Sequence, residues 1–474
     1  MTDTKRIVKN SFFLISQQLI LNVVSIFIIG YIARSLGQSD YGRFIFAFNF
    51  IGIFSPLTHL GVAAVTTREI TENLNKTNII LGKILIFKAI ASAGTFLLLI
   101  FVINLLHYPV GTKVVVYLAG STLIVSSMTN TLYSAFQAFE RIEYVASSMF
   151  IAGSILNILS VFFLFVGFHL IGLTIAYVIG SLVGLIVAIY FLGKLNITPE
   201  FCFDGAYYRY ILKRAKNFFF PDASTIIGNK IGIIFLSKLA GDIFVGIYGA
   251  ASTLVERLLV FPDSICTSLY PVLIKANQQS KEQLIEVFEK FYKYLLMLGL
   301  PIAFCFTILS RDIIRFIYGS KYVNSATILI ILSWWLLFNF LNYIQSYVLA
   351  AMHKERKSAI SLYTANSIYI ILGFFLIKYY KDAGAAIAIL VGIVVNFYLN
   401  YYFVRKYLSS CFITTSNFFK IAIANGAMSL IFILARNLNV LLNILIGMII
   451  YLAVIILIKL VSFKELKGLI RIPI

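Results

Sequence analysis

Residues 12–33 read FFLISQQLILNVVSIFIIGYIA, an uncharged run that a helix would carry across about 33 Å. That distance matches the hydrocarbon core of a bilayer. The run is too long for the apolar part of a signal peptide and has no small-residue cleavage site after it, so it is expected to remain as a first membrane span. Ser11, Gln18, Asn22 and Ser25 recur along it at helical spacing. The segment therefore reads as a helix with one polar stripe, the pattern of a span that faces other protein rather than lipid alone.

Similar runs recur to the end of the chain, near 41–65, 84–106, 114–135, 144–168, 170–192, 217–239, 245–274, 291–309, 326–351, 358–377, 383–404, 417–435 and 440–462. The division inside 144–192 rests only on the stretch from Gly167 to Gly172. The expectation is an all-α polytopic membrane protein of about fourteen transmembrane helices. Between 276 and 290, Ser280 with Gln283 forms a capping box, and Leu284, Val287, Phe288 and Phe291 give an apolar face; this segment is expected to be an interfacial helix.

Composition agrees. Of 474 residues 60% are hydrophobic and 12% charged, with a mean hydropathy of +0.94; a water-soluble fold needs about twice that share of charge. Net charge is +20, but its placement is topological. With both termini on the cytoplasmic side, 27 of the 39 Lys and Arg fall inside and 10 outside, the bias that orients membrane proteins. Nucleic acid is therefore not an expected partner. Cys202, Cys266, Cys305 and Cys411 are scattered, as are His59, His107, His169 and His353. No metal site, disulfide framework or cofactor is expected from them.

The chain also repeats itself. Lys9-Asn-Ser-Phe-Phe13 corresponds to Lys216-Asn-Phe-Phe-Phe220, and Asn22 falls on Asn229. Removing three residues aligns Leu36-Gly37 with Ala240-Gly241, Tyr41-Gly42 with Val245-Gly246 and Ala47 with Ala251; Pro56 and Pro262 follow at nearly matching places. A parallel repeat of two six-helix lobes follows, with a central cleft as the default binding site. The expected organisation is an N-terminal lobe over 1–192, a cytoplasmic linker over 193–216, a C-terminal lobe over 217–404, and a C-terminal helix pair and tail over 405–474.

Polar side chains inside spans are expensive and tend to face the bundle interior. The candidates for a substrate cavity are Lys230, Arg257, Asn22, Gln18, Asn229 and Asn49. Lys230 stands out because it lies deep in a span with no acid one turn away. Glu256, Asp222 and Asp263 are candidates for coupling to an ion, since a desolvated carboxylate can exchange protons near neutrality.

Several blocks then resemble a known family. Ile32-Ala33-Arg34-Ser35-Leu36-Gly37 with Asp40-Tyr41-Gly42, Phe46-Ala47, Leu60-Gly61 and Thr67-Arg68-Glu69-Ile70 is similar to the opening signature of polysaccharide and O-antigen lipid flippases. These belong to the multidrug/oligosaccharidyl-lipid/polysaccharide exporter superfamily. Val245-Gly246-Ile247-Tyr248 with Ala250-Ala251, Tyr270-Pro271-Val272-Leu273, and Ile317-Tyr318-Gly319 with Tyr322, Ala326 and Trp334 resemble later blocks of the same family. The resemblance implies two six-helix lobes around a cationic cavity, plus two extra helices. It implies a transporter, not an enzyme, that moves polyprenyl-pyrophosphate-linked glycan from the inner to the outer leaflet of the cytoplasmic membrane by alternating access. Membrane lipids, H+ or Na+, and polysaccharide polymerase machinery are the implied partners. The cavity residues named above come from their positions, not from the family's motifs. A multidrug or toxic-compound cation exporter and a peptidoglycan-precursor flippase are the nearest alternatives. A membrane glycosyltransferase or ligase is more distant, because the outer loops are short and the longest, around Arg311 to Asn324, carries only Asp312.

Overall fold

A computed structural model describes residues 2–409, 415–458 and 460, with the side chains of 2–23, 217, 218, 221, 222 and 415 outside the description. The described residues form helices and no strand: α1 (Thr2–His59), α2 (Val62–Glu72), α3 (Thr77–Leu105), α4 (Val110–Ala138), α5 (Ile142–Phe165), α6 (His169–Lys194), α7 (Gly205–Leu239), α8 (Asp242–Leu258), α9 (Val260–Gln279), α10 (Lys281–Ile308), α11 (Ser310–Tyr318), α12 (Ser325–Ala351), α13 (Glu355–Leu408), α14 (Thr415–Leu434) and α15 (Val440–Leu457). Eleven helical segments among the described residues are long and apolar enough to cross a membrane.

Two of these helices are too long for one crossing. The 58 residues of α1 would rise about 87 Å if straight, nearly three times the hydrocarbon thickness. Each is broken where the sequence places a turn between spans: α1 at Gly37 (φ +74°) and α13 at Lys381 (φ +50°). The weak division in 144–192 is likewise real, with Gly167 at φ +90° and His169 at φ +44° between α5 and α6. The segment at 276–290 differs from expectation. Ser280 does cap a helix, its hydroxyl accepting from Gln283 N at 3.1 Å, but α10 continues without interruption into the next span. The apolar face read as interfacial belongs to that helix, and Leu284 and Phe288 are buried.

The chain divides into two compact units, 1–246 and 247–474. In the first, Val62, Ile70, Leu81, Ile84, Phe136 and Ile211 form a shared core of α2, α3, α4 and the start of α7. Small residues let α5 and α6 approach: a Cβ on Gly180 would touch Leu156 and one on Gly184 would touch Ala152, as expected in lipid, where close packing replaces the hydrophobic effect between helices. In the second unit, Asn400 on α13 donates to Asn342 Oδ1 on α12 at 2.7 Å, and Gly447 on α15 makes room for the ring of Phe432 on α14. Large apolar side chains stay outside, among them Phe101, Phe165 and Leu457. Lipid is the solvent for such a surface.

The break at Gly37 has a counterpart in the first unit at Gly241 (φ +94°), between α7 and α8. The two corners clasp each other. A Cβ on Gly42 would strike the carbonyl oxygen of Asp242, and one on Gly246 would strike that of Gln38. Arg43 bridges the corners, donating from Nε to Asp242 Oδ2 and from Nη1 to Asp40 Oδ1, both at 3.1 Å. Nearby, Lys238 on α7 donates to Leu106 O and lies 4.0 Å from the centre of the Tyr108 ring.

Candidate substrate-binding site

The site in the first unit is built where α7 packs on the second half of α1. Asn49, Gly52 and Ser55 recur every three residues and so share one helical face. Lys230 of α7 lies over that face. A Cβ on Gly52 would stand 2.5 Å from Lys230 Cε and 2.6 Å from Cδ, so only glycine lets the lysine stem rest against the helix. The ammonium then reaches Asn49 Oδ1 at 3.4 Å. Asn49 is held for this role, because its amide nitrogen donates to Ile45 O at 2.8 Å and its oxygen is thereby turned outward.

Below Gly52 the helix carries Pro56, which has no N–H to give to the Gly52 carbonyl. Ser55 substitutes: its hydroxyl donates to Gly52 O at 2.7 Å. The helix then ends, with Leu60 at φ +49° and Gly61 at φ +66° before α2 begins. The freed carbonyls of Thr58 and His59 accept from Lys88 Nζ of α3, at 2.8 and 2.5 Å. Lys88 is 4% exposed. A cation at a helix C-terminus is well placed both for hydrogen bonding and for the helix dipole.

An ammonium has three donors and no acceptor. Lys230 directs one toward Asn49 and has no salt bridge among the described residues, so it can offer its other donors to an anion. Amide and hydroxyl neighbours can bond sugar hydroxyls in either sense.

The other predicted residues are placed as follows. Asn229 is exposed beside Lys230 on α7. Gln18 and Asn22 on α1, and Asp222 on α7, lie outside the described side chains. Glu256, Arg257 and Asp263 belong to the second unit. Glu256 and Arg257 are adjacent near the end of α8, exposed and half-buried respectively, and both are engaged by other groups. Asp263 is exposed in the first turn of α9. The structure thus brings Lys230 to Asn49 in the first unit; Asn229 beside Lys230, and Glu256 beside Arg257, are neighbours by sequence.

Sequence reasoning missed Lys88, which was counted as an inner-surface charge. Its signal was present, a single lysine inside the apolar run Ile84–Phe96. Asp242 was also missed; next to Gly241 it reads as an ordinary turn residue, and only the fold brings it to Arg43.

A multi-pass helical fold with a lysine lodged between two spans is that of a membrane transporter, and comparison with known proteins narrows this. Residues 7–277 match the family described as polysaccharide biosynthesis protein, and the chain belongs to that family. It is 23% identical over 402 residues to a Shigella flexneri protein described as "Putative O-antigen transporter", covering 81% of this chain and 94% of that one. Its fold resembles that of the lipid II flippase MurJ in an inward closed conformation, with a TM-score of 0.78, 17% identity, and coverage of 97% of this chain and 100% of MurJ. It also resembles an inward-facing multidrug resistance MATE transporter of the MOP superfamily, with a TM-score of 0.69, 15% identity, and coverage of 83% and 98%.

Proposed function

We propose that this protein is a flippase that moves polyprenyl-diphosphate-linked oligosaccharide from the inner to the outer leaflet of the cytoplasmic membrane by alternating access. Fourteen crossings, with α1 and α13 each counted as two, put both termini in the cytoplasm in agreement with the positive-inside bias. The expected lobe and linker boundaries belong to this reading. The family match and the O-antigen transporter relative support the class of cargo. The observation that carries the reading is Lys230, seated on Gly52 and hydrogen bonded to Asn49, with no carboxylate at its head among the described residues. A diphosphate needs such a cation in a low-dielectric site, and a cationic drug does not.

Arg257, Gln18, Asn22 and Asn229 complete the proposed substrate contacts. Glu256, Asp222 and Asp263 are the proposed coupling groups, with H+ or Na+ as the coupled ion. The product is a glycan-lipid in the outer leaflet, the substrate a polysaccharide polymerase consumes. Peptidoglycan-precursor transport is a second reading, favoured by the TM-score of 0.78 to MurJ, and it uses the same anionic group.

The test is leaflet translocation in proteoliposomes with labelled polyprenyl-diphosphate oligosaccharide, labelled lipid II and a hydrophobic cation, each offered to native protein, Lys230→Ala and Arg257→Ala. The proposal expects the oligosaccharide lipid to move and both variants to slow it at least about tenfold, the scale of one lost charge-assisted contact. Export of the cation alone would overturn it.

A further inference from the structure

The first unit holds a second cationic feature, away from Lys230 along the chain. The end of α2 and the start of α7 enclose a cavity of about 630 Å³ whose walls include Arg68, Tyr210, Lys213, Arg214 and Lys216. Ala64 and Val65 form an apolar side of it. Its volume lies within the range of small-molecule sites.

The walls are fixed by one carboxylate. Glu69, only 12% exposed in its side chain, accepts from Arg214 Nη1 at 2.6 Å and from Tyr210 OH at 3.0 Å. The Arg214 guanidinium lies 4.8 Å from the centre of the Tyr210 ring. Arg68 is paired with Glu72 at 2.8 Å. Four cations thus face the cavity, and two carboxylates answer only the two arginines. Among the described residues Lys213 and Lys216 have no acid partner. A topological signal requires positive charges near the membrane surface but does not require them to converge on a cavity with two left uncompensated.

We propose that this cavity captures the diphosphate of the lipid-linked substrate at the cytoplasmic surface, before the lipid reaches Lys230. The inference rests on the transport reading above. The unbalanced charge of the two lysines equals that of a diphosphate diester. Arg214, tied to Glu69 and lying over the Tyr210 ring, presents its remaining N–H groups as a fixed donor edge, and Ala64 and Val65 offer a wall for the first isoprene units.

Full-length protein in phosphatidylcholine nanodiscs provides the test, with sugar-free polyprenyl diphosphate as the probe and inorganic pyrophosphate and phosphatidylglycerol as competitors. Lys213→Gln/Lys216→Gln is compared with Lys281→Gln/Lys290→Gln, the same charge change on the exposed start of α10. The expected result is about tenfold weaker probe binding in the first pair, corresponding to about 1.4 kcal/mol, and less than about twofold in the second. The half-saturating concentration for translocation of the glycan-lipid should rise in parallel in the first pair only. Equal loss in both pairs means bulk electrostatics and overturns the site, as does equal displacement by phosphatidylglycerol. Pyrophosphate binding as tightly as the lipid would make it a free-diphosphate site. Native translocation with unaltered half-saturation in the first pair overturns the capture site alone. Absence of native translocation overturns the transport reading, and this site with it.

Discussion

Gly42 and Gly246 are reciprocal: each lies directly beneath a backbone carbonyl of the other's corner, Gly42 under Asp242 and Gly246 under Gln38. Gln38 and Asp242 are separated along the chain by the same interval as Gly37 and Gly241, the two positive-φ breaks, and as the two clasped glycines. A contact in which each member repeats the other's role is the mark of a local twofold. Backbone atoms cannot move aside as a side-chain tip can. Gly42→Ala and Gly246→Ala should therefore each destabilise the protein by about 1–3 kcal/mol, as overpacking does. Gly94→Ala, in open space on α3, should be neutral or slightly stabilising by its gain in helix propensity. Thermal unfolding in detergent separates the two cases, and equal behaviour of all three variants contradicts the clasp.

Ser55 and Pro56 form a coupled pair, since the serine hydroxyl supplies the bond that the proline cannot. Ser55→Ala leaves Gly52 O unsatisfied and should cost about 1 kcal/mol. In a Pro56→Ala background the returned N–H takes the carbonyl, and the same substitution should cost close to nothing. A double-mutant cycle on denaturation midpoints measures the coupling; additive values rule it out.

Gly52→Ala acts on transport more than on stability. The new methyl pushes against the flexible stem of Lys230, which can swing off the helix at small energetic expense but then loses Asn49. Translocation of the glycan-lipid should fall several-fold while the unfolding temperature changes little. Wild-type transport in this variant means that the seat of Lys230 is unimportant.

Asp204 gives a pH signature outside the membrane. It caps α7 through Tyr207 N at 3.0 Å and pairs with Lys83 at 2.7 Å. The Lys83 ammonium, and then the Tyr207 N–H, hold its carboxyl below the ordinary 3.8. A depressed carboxylate contributes stability that is fully present above its unfolded value and is lost as pH falls through the folded one. Asp204→Asn should therefore unfold at a lower temperature than native protein at pH 6–7, and the gap should close as pH drops below 3.8. A gap that does not narrow at all between pH 5 and pH 3 argues that the carboxylate's charge is not its source.

The spans, their order and most of their breaks were legible because apolar run length and glycine punctuation are local signals. Gly37 and Gly167 could be read directly; Lys381 could be placed between two runs, though nothing marks a lysine as a φ +50° residue. The start of α10 misled because a capping box announces where a helix begins and carries no word on where it stops. Of the site, Lys230 was visible as a lone charge in a span. Its seat on Gly52 was not, because that depends on α7 meeting α1 across a long stretch of chain. Lys88 shows the opposite failure. Its charge suited the topological count so well that its burial against the end of α1 went unread.

The clasp between the corners closes on main-chain atoms rather than on side chains. Both collisions end on main-chain oxygens, so Gln38 and Asp242 supply their carbonyls whatever residue they are. Asp242 uses that liberty to tie down Arg43, and a single residue thereby serves two masters, its backbone closing one half of the pair and its carboxylate fastening the whole. At 42 and 246, where those oxygens press on the chain, even one added carbon is too many.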